Sequence, residues 1–280
     1  MTTFTDGEAS LGCGSMPFFG YHGSELHYVD ADRRKDKRKG LALVFVHGAG
    51  SSHIVWTLQK HEFCWTNRVV APDLSGHGAS DNIEGEATID GGYTHEIAAL
   101  VDYLKIRHFV LIGHSMGGGV VMSYVLHPEF RQPRGIVLVG ASADLELAKL
   151  IPRLAFETIE TELLMLKSRL TGDVSEAFAI KRLDEQIKRE NPQLLLRDLR
   201  ACDRFDISGK LGSIETPCLV IHGQEDHVIE PGLARMLAEQ LPRADVAFVR
   251  GADHIPMLEK PDEFNRLLAK FVRWAEASAS

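Results

Sequence analysis

The sequence predicts an α/β fold, in which a mostly parallel, doubly wound sheet carries an inserted helical cap. Short apolar runs without alternation are typical of strands buried on both faces, and helical stretches lie between most of them. This alternation favours right-handed crossover connections. The predicted strands are Leu41–Val46, Arg68–Ala71, Phe109–Ile112, Gly135–Val139, Cys218–Ile221 and Val246–Val249. The predicted helices are Thr94–Lys105, Gly118–Leu126, Pro231–Leu241 and Pro261–Ala275.

The cap is predicted from a break in this rhythm. Between about residues 144 and 214, which we call the cap segment, no strand-like run occurs, whereas Leu145–Leu170 and Ser175–Ile187 have a helical apolar pattern. We therefore assign residues 1–143 and 215–280 to the core domain. The cap segment is expected to cover the carboxyl ends of the strands, where α/β sheets bind ligands. The alternative is that its helices only add packing.

The region before the first buried strand is predicted to form an antiparallel hairpin. Phe18–Tyr21 and Leu26–Val29 have strand character, and a short polar turn joins them. The basic run Arg33–Lys39 then fits a solvated loop between two strands.

Composition and charge exclude several classes of protein. The chain has 280 residues, 44% of them hydrophobic and 25% charged, which suits a globular protein with a sizeable core. Its formal net charge of −8 disfavours non-specific nucleic-acid binding. Four cysteines are too few for a disulfide scaffold at this length, and because they form no C-x-x-C pair, neither a zinc site nor a thioredoxin motif is indicated. No secretory leader or membrane-spanning run is visible, and we expect a cytoplasmic monomer or homodimer without a membrane partner.

The strongest chemical signal is the pentapeptide Gly113-His114-Ser115-Met116-Gly117 between a predicted strand and a predicted helix. A sharp strand-to-helix turn lifts a serine hydroxyl clear of the sheet, and Cβ atoms at Gly113 and Gly117 would clash with neighbouring chain. The start of the helix also favours developing negative charge. We therefore predict that Ser115 is a nucleophile. The alternative is a tight turn with an inert serine.

A serine nucleophile needs a base, and the base needs an orienting carboxylate. His254 follows the last predicted strand, and Asp226 follows the strand before it, so both are expected at the same sheet edge as Ser115. Their order along the chain, Ser–Asp–His, fits this fold class. The alternatives are a loop histidine at His254 and a turn or helix cap at Asp226.

An oxyanion hole is predicted from two backbone amides. The glycine-rich segment at residues 47–52, which we call the oxyanion loop, follows the strand Leu41–Val46. The N–H groups of Ala49 and of Met116, the residue after the nucleophile, are the natural pair of donors. The alternative is that Ala49 is a simple turn residue.

Together these motifs resemble those of the α/β-hydrolase superfamily, in particular its esterase, lactonase and carbon–carbon hydrolase branch. The resemblance spans about residues 18 to 275. It implies Ser115 as nucleophile, His254 as general base and acid, Asp226 as its orienting carboxylate, no cofactor and no metal. The matching motifs are His47–Gly50, Pro72–Asp81, Gly113–Gly118, Gly223–Pro231 and Gly251–Pro256.

We therefore expect a carboxylesterase that hydrolyses small-molecule esters of short to medium acyl chains through an acyl-enzyme intermediate. Alternatives on the same triad are a carbon–carbon bond hydrolase, an enol-lactone hydrolase and a cofactor-free perhydrolase; a ligand receptor is a further alternative. Carbon–carbon hydrolases of this branch carry Asn where this chain has His114, which argues against that activity. Apolar residues of the cap segment are candidates for an acyl pocket: Ile151, Leu154, Phe156, Ile159, Leu163, Leu164, Leu166 and Phe178.

Overall fold

The computed structural model describes residues 17–37, 40–83, 85–145 and 176–278. These residues form an eight-stranded sheet with the order β1-β2-β4-β3-β5-β6-β7-β8. The pairs β1–β2 and β2–β4 are antiparallel and the remaining pairs are parallel, which confirms the mostly parallel sheet. The strands are β1 (Phe18–Tyr21), β2 (Ser24–Ala31), β3 (Ala42–Val46), β4 (Arg68–Pro72), β5 (Phe109–His114), β6 (Gly135–Val139), β7 (Cys218–Gly223) and β8 (Ala244–Val249).

The central strands are apolar along their whole length because helices cover both faces of the sheet. Every residue of β3, β5 and β6 is buried. Alternate side chains enter two separate cores, so that Val44 and Leu111 lie in one while Phe45 and Ile112 lie in the other. Continuous rather than alternating hydrophobicity is therefore the correct signal for these strands.

The predicted helices that fall within the described residues lie close to their predicted positions. The helix after the serine begins at Met116, two residues before the predicted start, because Ser115 alone makes the turn. A π-helical turn at Ile89–Tyr93 leads into α2. The helices are α1 (Thr57–Phe63), α2 (Thr94–Tyr103), α3 (Met116–Val125), α4 (Glu176–Glu190), α5 (Pro192–Asp203), α6 (Pro231–Gln240), α7 (Pro256–Glu259) and α8 (Pro261–Ala277).

The cap segment is helical where the structure describes it. Helices α4 and α5 are followed by a 3₁₀ turn at Ser208–Ser213, and between residues 176 and 214 the chain forms no strand longer than a single bridge residue. Most of the predicted Leu145–Leu170 helix lies outside the described residues, as do all the pocket candidates except Phe178, which is half-buried. The boundaries of the cap segment stay a prediction.

The hairpin prediction is confirmed, with Phe18 opposite His27 and Tyr21 opposite Ser24 at the edge of the sheet. In the following loop, Arg34 is paired with Asp32 at 2.8 Å. Residues 38 and 39 of the basic run lie outside the described residues. None of the described helices combines the length and the hydrophobicity that crossing a bilayer requires.

Candidate active site

Ser115 lies in a strained turn between β5 and α3. Its backbone has φ 52° and ψ −118°, a region that side chains other than glycine rarely adopt. Gly117 makes the turn possible, because a Cβ there would lie 2.5 Å from the Val46 carbonyl oxygen and 2.6 Å from that of His47. The turn leaves Ser115 partly exposed at the start of a helix whose first turn is buried. The clashes predicted for Cβ atoms at Gly113 and Gly117 are therefore confirmed.

Asp226 and His254 lie beside each other after β7 and β8. The Nδ1 atom of His254 lies 3.0 Å from Oδ2 of Asp226, and both residues are buried. The other oxygen, Oδ1, accepts the N–H groups of Val228 and Ile229, each at 2.8 Å. The carboxylate therefore has a fixed orientation. Because a carboxylate accepts hydrogen bonds, the His254 proton belongs on Nδ1, and Nε2 is the basic nitrogen of the ring.

A second imidazole supports the same carboxylate. Nε2 of His222 lies 2.8 Å from the Ile229 carbonyl oxygen and 3.1 Å from Oδ2 of Asp226. Burial alone would raise the pKa of Asp226, but the imidazoles of His254 and His222 outweigh burial and hold that pKa well below its usual range. Asp226 is therefore ionised at neutral pH and can stabilise a positive charge on His254.

His114 connects the turn at Ser115 to the loop that carries His254. Its Nε2 atom lies 2.9 Å from the backbone oxygen of His254, and the two rings have centroids 4.8 Å apart. Burial, with the nearby His254 ring, lowers the pKa of His114 well below its ordinary value, so that this ring is neutral. The contact holds the backbone of His254 against His114, the residue that precedes Ser115 in the sequence.

Glycines allow the loops after β6, β7 and β8 to approach one another. A Cβ at Gly223 would overlap the backbone oxygen of Asp253, and one at Gly140 would lie 3.1 Å from the backbone oxygen of His254. Gly140 also has φ 52°. Gly223 is therefore needed for the loop that carries Asp226 to approach the loop that carries His254.

The two predicted oxyanion donors lie just beyond the ends of two adjacent strands. Ala49 follows β3 and Met116 follows β5, and Val46 pairs with Gly113 where these strands end. Among the described residues, neither amide donates to a backbone carbonyl outside its own element. His47 braces the loop, with Nδ1 2.8 Å from the Gly48 oxygen and Nε2 accepting the Leu74 N–H at 3.1 Å. Burial, with the nearby His77, lowers the pKa of His47 to about 4, so that it is neutral.

Comparison with known proteins identifies the family. The sequence matches the family model described as "Alpha/beta hydrolase family" over residues 43–267. The chain belongs to the alpha/beta hydrolase family. It is 26% identical over 260 residues to a non-heme chloroperoxidase of Kitasatospora aureofaciens, a match that covers 85% of this chain and 94% of the relative.

Other relatives carry different activities in their names. This chain is 25% identical over 271 residues to the 2-hydroxy-6-oxononadienedioate/2-hydroxy-6-oxononatrienedioate hydrolase of Burkholderia vietnamiensis. The match covers 90% of this chain and 92% of the relative. A solved structure of a thermophilic esterase is 27% identical, with a TM-score of 0.73 and coverage of 92% and 97%. Together the comparisons show the fold and a hydrolase of this family, and they leave the class of substrate open.

Two cap-segment carboxylates contact the oxyanion loop of this hydrolase, and the sequence analysis missed both. Asp198 on α5 accepts the Gly50 N–H at 2.8 Å, and Asp184 on α4 accepts the Ser51 hydroxyl at 2.5 Å. Both carboxylates are buried. A signal was present, because each Asp lies within an apolar helical stripe, with Ile180 and Ile187 around Asp184. A charge in such a stripe indicates a buried polar partner.

One cluster of the hydrolase has the composition of a metal site. Atoms of His27, His53 and Asp73 that could bind a metal lie within 4.8 Å of one another. Asp73 already accepts Nδ1 of His27 at 2.7 Å, Nδ1 and N–H of His53 at 2.8 Å each, and the Ala79 N–H at 3.1 Å. These hydrogen bonds join strand β2, the 3₁₀ turn His53–Trp56 and the loop that carries Ala79, and they satisfy the buried carboxylate of Asp73.

Proposed function

We propose that the protein is a serine hydrolase that cleaves carboxylic esters of short to medium acyl chains through an acyl-enzyme intermediate. The observation that carries this proposal is the buried Asp226–His254 pair, which follows β7 and β8 at the same edge of the sheet as a strained, partly exposed serine at the start of a helix. Strain of this kind persists only where the surrounding structure imposes it, and it is concentrated at functional sites. The site residues proposed are Ser115, Asp226, His254, Ala49 and Met116.

The proposed reaction has two halves. In the first, Oγ of Ser115 attacks the ester carbonyl carbon while Nε2 of His254 takes the hydroxyl proton. The carbonyl oxygen becomes an oxyanion that accepts the N–H groups of Ala49 and Met116. The tetrahedral intermediate collapses as the carbon–oxygen bond to the alcohol breaks, and His254 donates its proton to the leaving alcohol.

In the second half, water replaces the alcohol. His254 takes a proton from water, whose oxygen attacks the acyl carbon, and then returns the proton to Oγ of Ser115 as the acid leaves. Asp226 stays ionised throughout and stabilises the imidazolium that forms in each half. The balance is one ester and one water converted into one acid and one alcohol, with no electron transfer.

One similarity supports the ester as substrate class, and one residue argues against the main rival. The thermophilic esterase that resembles this chain at 27% identity bears that activity in its name. The second candidate is carbon–carbon bond hydrolysis, which the similarity to the Burkholderia vietnamiensis hydrolase favours. His114 argues against it, because the carbon–carbon hydrolases of this branch carry Asn at that position.

The test is a series of p-nitrophenyl esters of graded acyl length, run beside a lactone and a dienoic diketone. We expect turnover of short and medium esters, and stoichiometric labelling of Ser115 by an organophosphonate. Ser115→Ala should lower kcat by at least about 10³-fold, since only binding and the oxyanion donors remain. Ser213→Ala, at an exposed serine of the cap segment, is the matched control and should keep wild-type turnover.

Three results would contradict parts of the proposal. Turnover of the diketone with every ester left intact would replace the ester class and keep the triad. Rates that continue to rise to long acyl chains would exclude the short-chain preference. Wild-type activity in Ser115→Ala would remove the nucleophile, and with it the proposed mechanism.

A further inference from the structure

We propose that Asp198 of the cap segment is a positioning residue that holds the oxyanion loop in its active geometry. This inference rests on the proposed function, because it assigns a catalytic consequence to a contact with the loop that carries Ala49. Asp198 does not touch the reacting atoms. It acts through Gly50, the residue that follows Ala49.

The carboxylate of Asp198 is fully buried and accepts three donors. Oδ2 accepts the Gly50 N–H at 2.8 Å and lies 2.7 Å from Nε2 of His77, and Oδ1 accepts the Tyr93 hydroxyl at 2.6 Å. Burial alone would raise the pKa of Asp198, but these partners hold it below its usual range. The hydrogen bond to Gly50 is therefore charge-assisted, which makes it about twice as strong as one between neutral groups.

The oxyanion loop needs an external partner at this point. Gly50 has φ 64°, a left-handed conformation that favours glycine, and its N–H donates to Asp198 on α5. The side chain of Leu195 on the same helix packs against Gly50, since a Cβ built there would lie 3.0 Å from Cδ1 of Leu195. Helix α5 thus holds Gly50 by one polar and one apolar contact. A shift of Gly50 would displace the adjoining Ala49 amide from the oxyanion.

Cationic groups offset the negative charge that Asp198 brings near an anion-binding loop. The guanidinium of Arg197 lies with Nε 3.9 Å from Oδ1 of Asp198, and its NH2 donates to the Ser75 carbonyl at 2.5 Å. Asp184 makes the neighbouring contact to Ser51, and the ammonium of Lys188 lies 3.0 Å from that carboxylate. Both cap helices therefore contact the oxyanion loop through carboxylates that have a cation nearby.

Loss of the Asp198 contact should affect the chemical step rather than substrate binding. The oxyanion exists only after nucleophilic attack, so a misplaced Ala49 amide should lower kcat and leave KM unchanged. We expect kcat to fall roughly 10- to 100-fold in Asp198→Ala, which removes the acceptor of the Gly50 N–H. Asp198→Asn keeps the size and one oxygen but loses the charge, and we expect a fall of roughly 3- to 10-fold. The rate of organophosphonate labelling should fall in the same proportions, because phosphonylation uses the same donors.

A matched variant separates positioning from stability. Tyr93→Phe removes a hydrogen bond to the same buried carboxylate, from the oxygen that does not hold the loop. It should lower the melting temperature while kcat stays within about threefold of wild type. Arg200→Gln, at an exposed position on the same helix, should change neither quantity.

The outcomes are distinct for the two proposals. Graded loss of kcat at constant KM in the two Asp198 variants, without such loss in Tyr93→Phe, supports the positioning role. Wild-type kcat in Asp198→Asn, or equal loss in Asp198→Asn and Tyr93→Phe, overturns it, and this comparison decides the matter even where Asp198→Ala does not fold. Absence of ester turnover and of Ser115 labelling in the wild-type protein would overturn the proposed function as well.

Discussion

At the scale of single residues, the proposed catalytic groups are oriented by contacts that the sequence does not display. The proton on Nδ1 of His254 is directed by Asp226, and Asp226 is oriented in turn by two backbone amides and by His222. The consequence is a defined ring tautomer with Nε2 as the base. Glu225 and Glu230, the other carboxylates of this loop, are exposed at its surface.

The first prediction concerns this carboxylate. Asp226→Asn should lower kcat by roughly 10²- to 10⁴-fold, because the amide no longer selects the tautomer of His254 or stabilises its positive charge. The far-ultraviolet circular dichroism should stay unchanged. Steady-state kinetics on the best ester measures the effect, with Glu230→Gln as the control. Near-normal turnover in Asp226→Asn together with loss in Glu230→Gln would assign the acid to Glu230 instead.

At the scale of elements, the turn between β5 and α3 depends on its neighbour β3. Gly117 faces the carbonyl oxygens of Val46 and His47, which end β3 and begin the oxyanion loop. The turn that carries the proposed nucleophile and the loop that carries Ala49 are therefore packed backbone against backbone. A side chain inserted between them would move Ser115 away from the oxyanion loop.

The second prediction tests this close approach. Gly117→Ala should destabilise the fold by about 1–3 kcal/mol, as overpacking does, since its Cβ meets rigid backbone rather than a flexible side chain. It should also lower kcat on the order of 10²-fold by moving Ser115 relative to Ala49. Thermal melting and ester kinetics measure the two effects.

Gly232→Ala is the control for that variant, because Gly232 also lies in the first turn of a helix and a Cβ there meets nothing within 4 Å. It should keep wild-type activity and stability to within about 0.5 kcal/mol. Equal melting temperatures and turnover in the two variants would show that the backbone contact at Gly117 is unimportant.

At the scale of the whole molecule, the parallel sheet brings distant segments to one edge. The oxyanion loop, Ser115, Asp226 and His254 follow β3, β5, β7 and β8, and Gly140 follows β6 between them. Two neutral histidines, His47 and His114, are buried among these segments. Burying them uncharged links the stability of the fold to pH.

The third prediction is a loss of stability on mild acidification. The pKa of His47 is lowered to about 4 in the folded protein from an ordinary value of 6.5. Between these values the unfolded chain binds a proton that the folded protein does not, so stability rises with pH across this window. The contribution of His47 to the free energy of unfolding should fall by about 3 kcal/mol from pH 6.5 to pH 4. His114 adds to the slope in the same direction.

Urea unfolding at a series of pH values measures this slope. His47→Gln should flatten it, whereas His61→Gln, at an exposed histidine, should leave it unchanged. A free energy of unfolding that stays constant between pH 6.5 and 4, or an unaltered slope in His47→Gln, would show that His47 is not the neutral buried group described.

The sequence by itself determined the strands of the sheet, most of its helices and the positions where the candidate site residues leave the strands. These features depend on local signals: continuous apolar runs for buried strands, glycines around Ser115 for the turn, and prolines at the first positions of α6 and α8. Each signal spans a few neighbouring residues, so it can be read without knowing what packs against it. The helix after Ser115 was placed two residues late because the strained backbone of the serine ends the strand and begins the helix at once.

Only the tertiary structure decided which side chains support those residues. The Gly50 amide and the Asp198 carboxylate are 148 positions apart, and the backbone oxygen of His254 is 140 positions from His114. An Asp in an apolar helical stripe indicates that it has a buried partner, but the identity of that partner depends on how α5 packs over the sheet. A buried charge without a partner is costly, so the sequence indicates that a partner exists. The two partners share no local sequence pattern, and they come together only when the whole chain is packed.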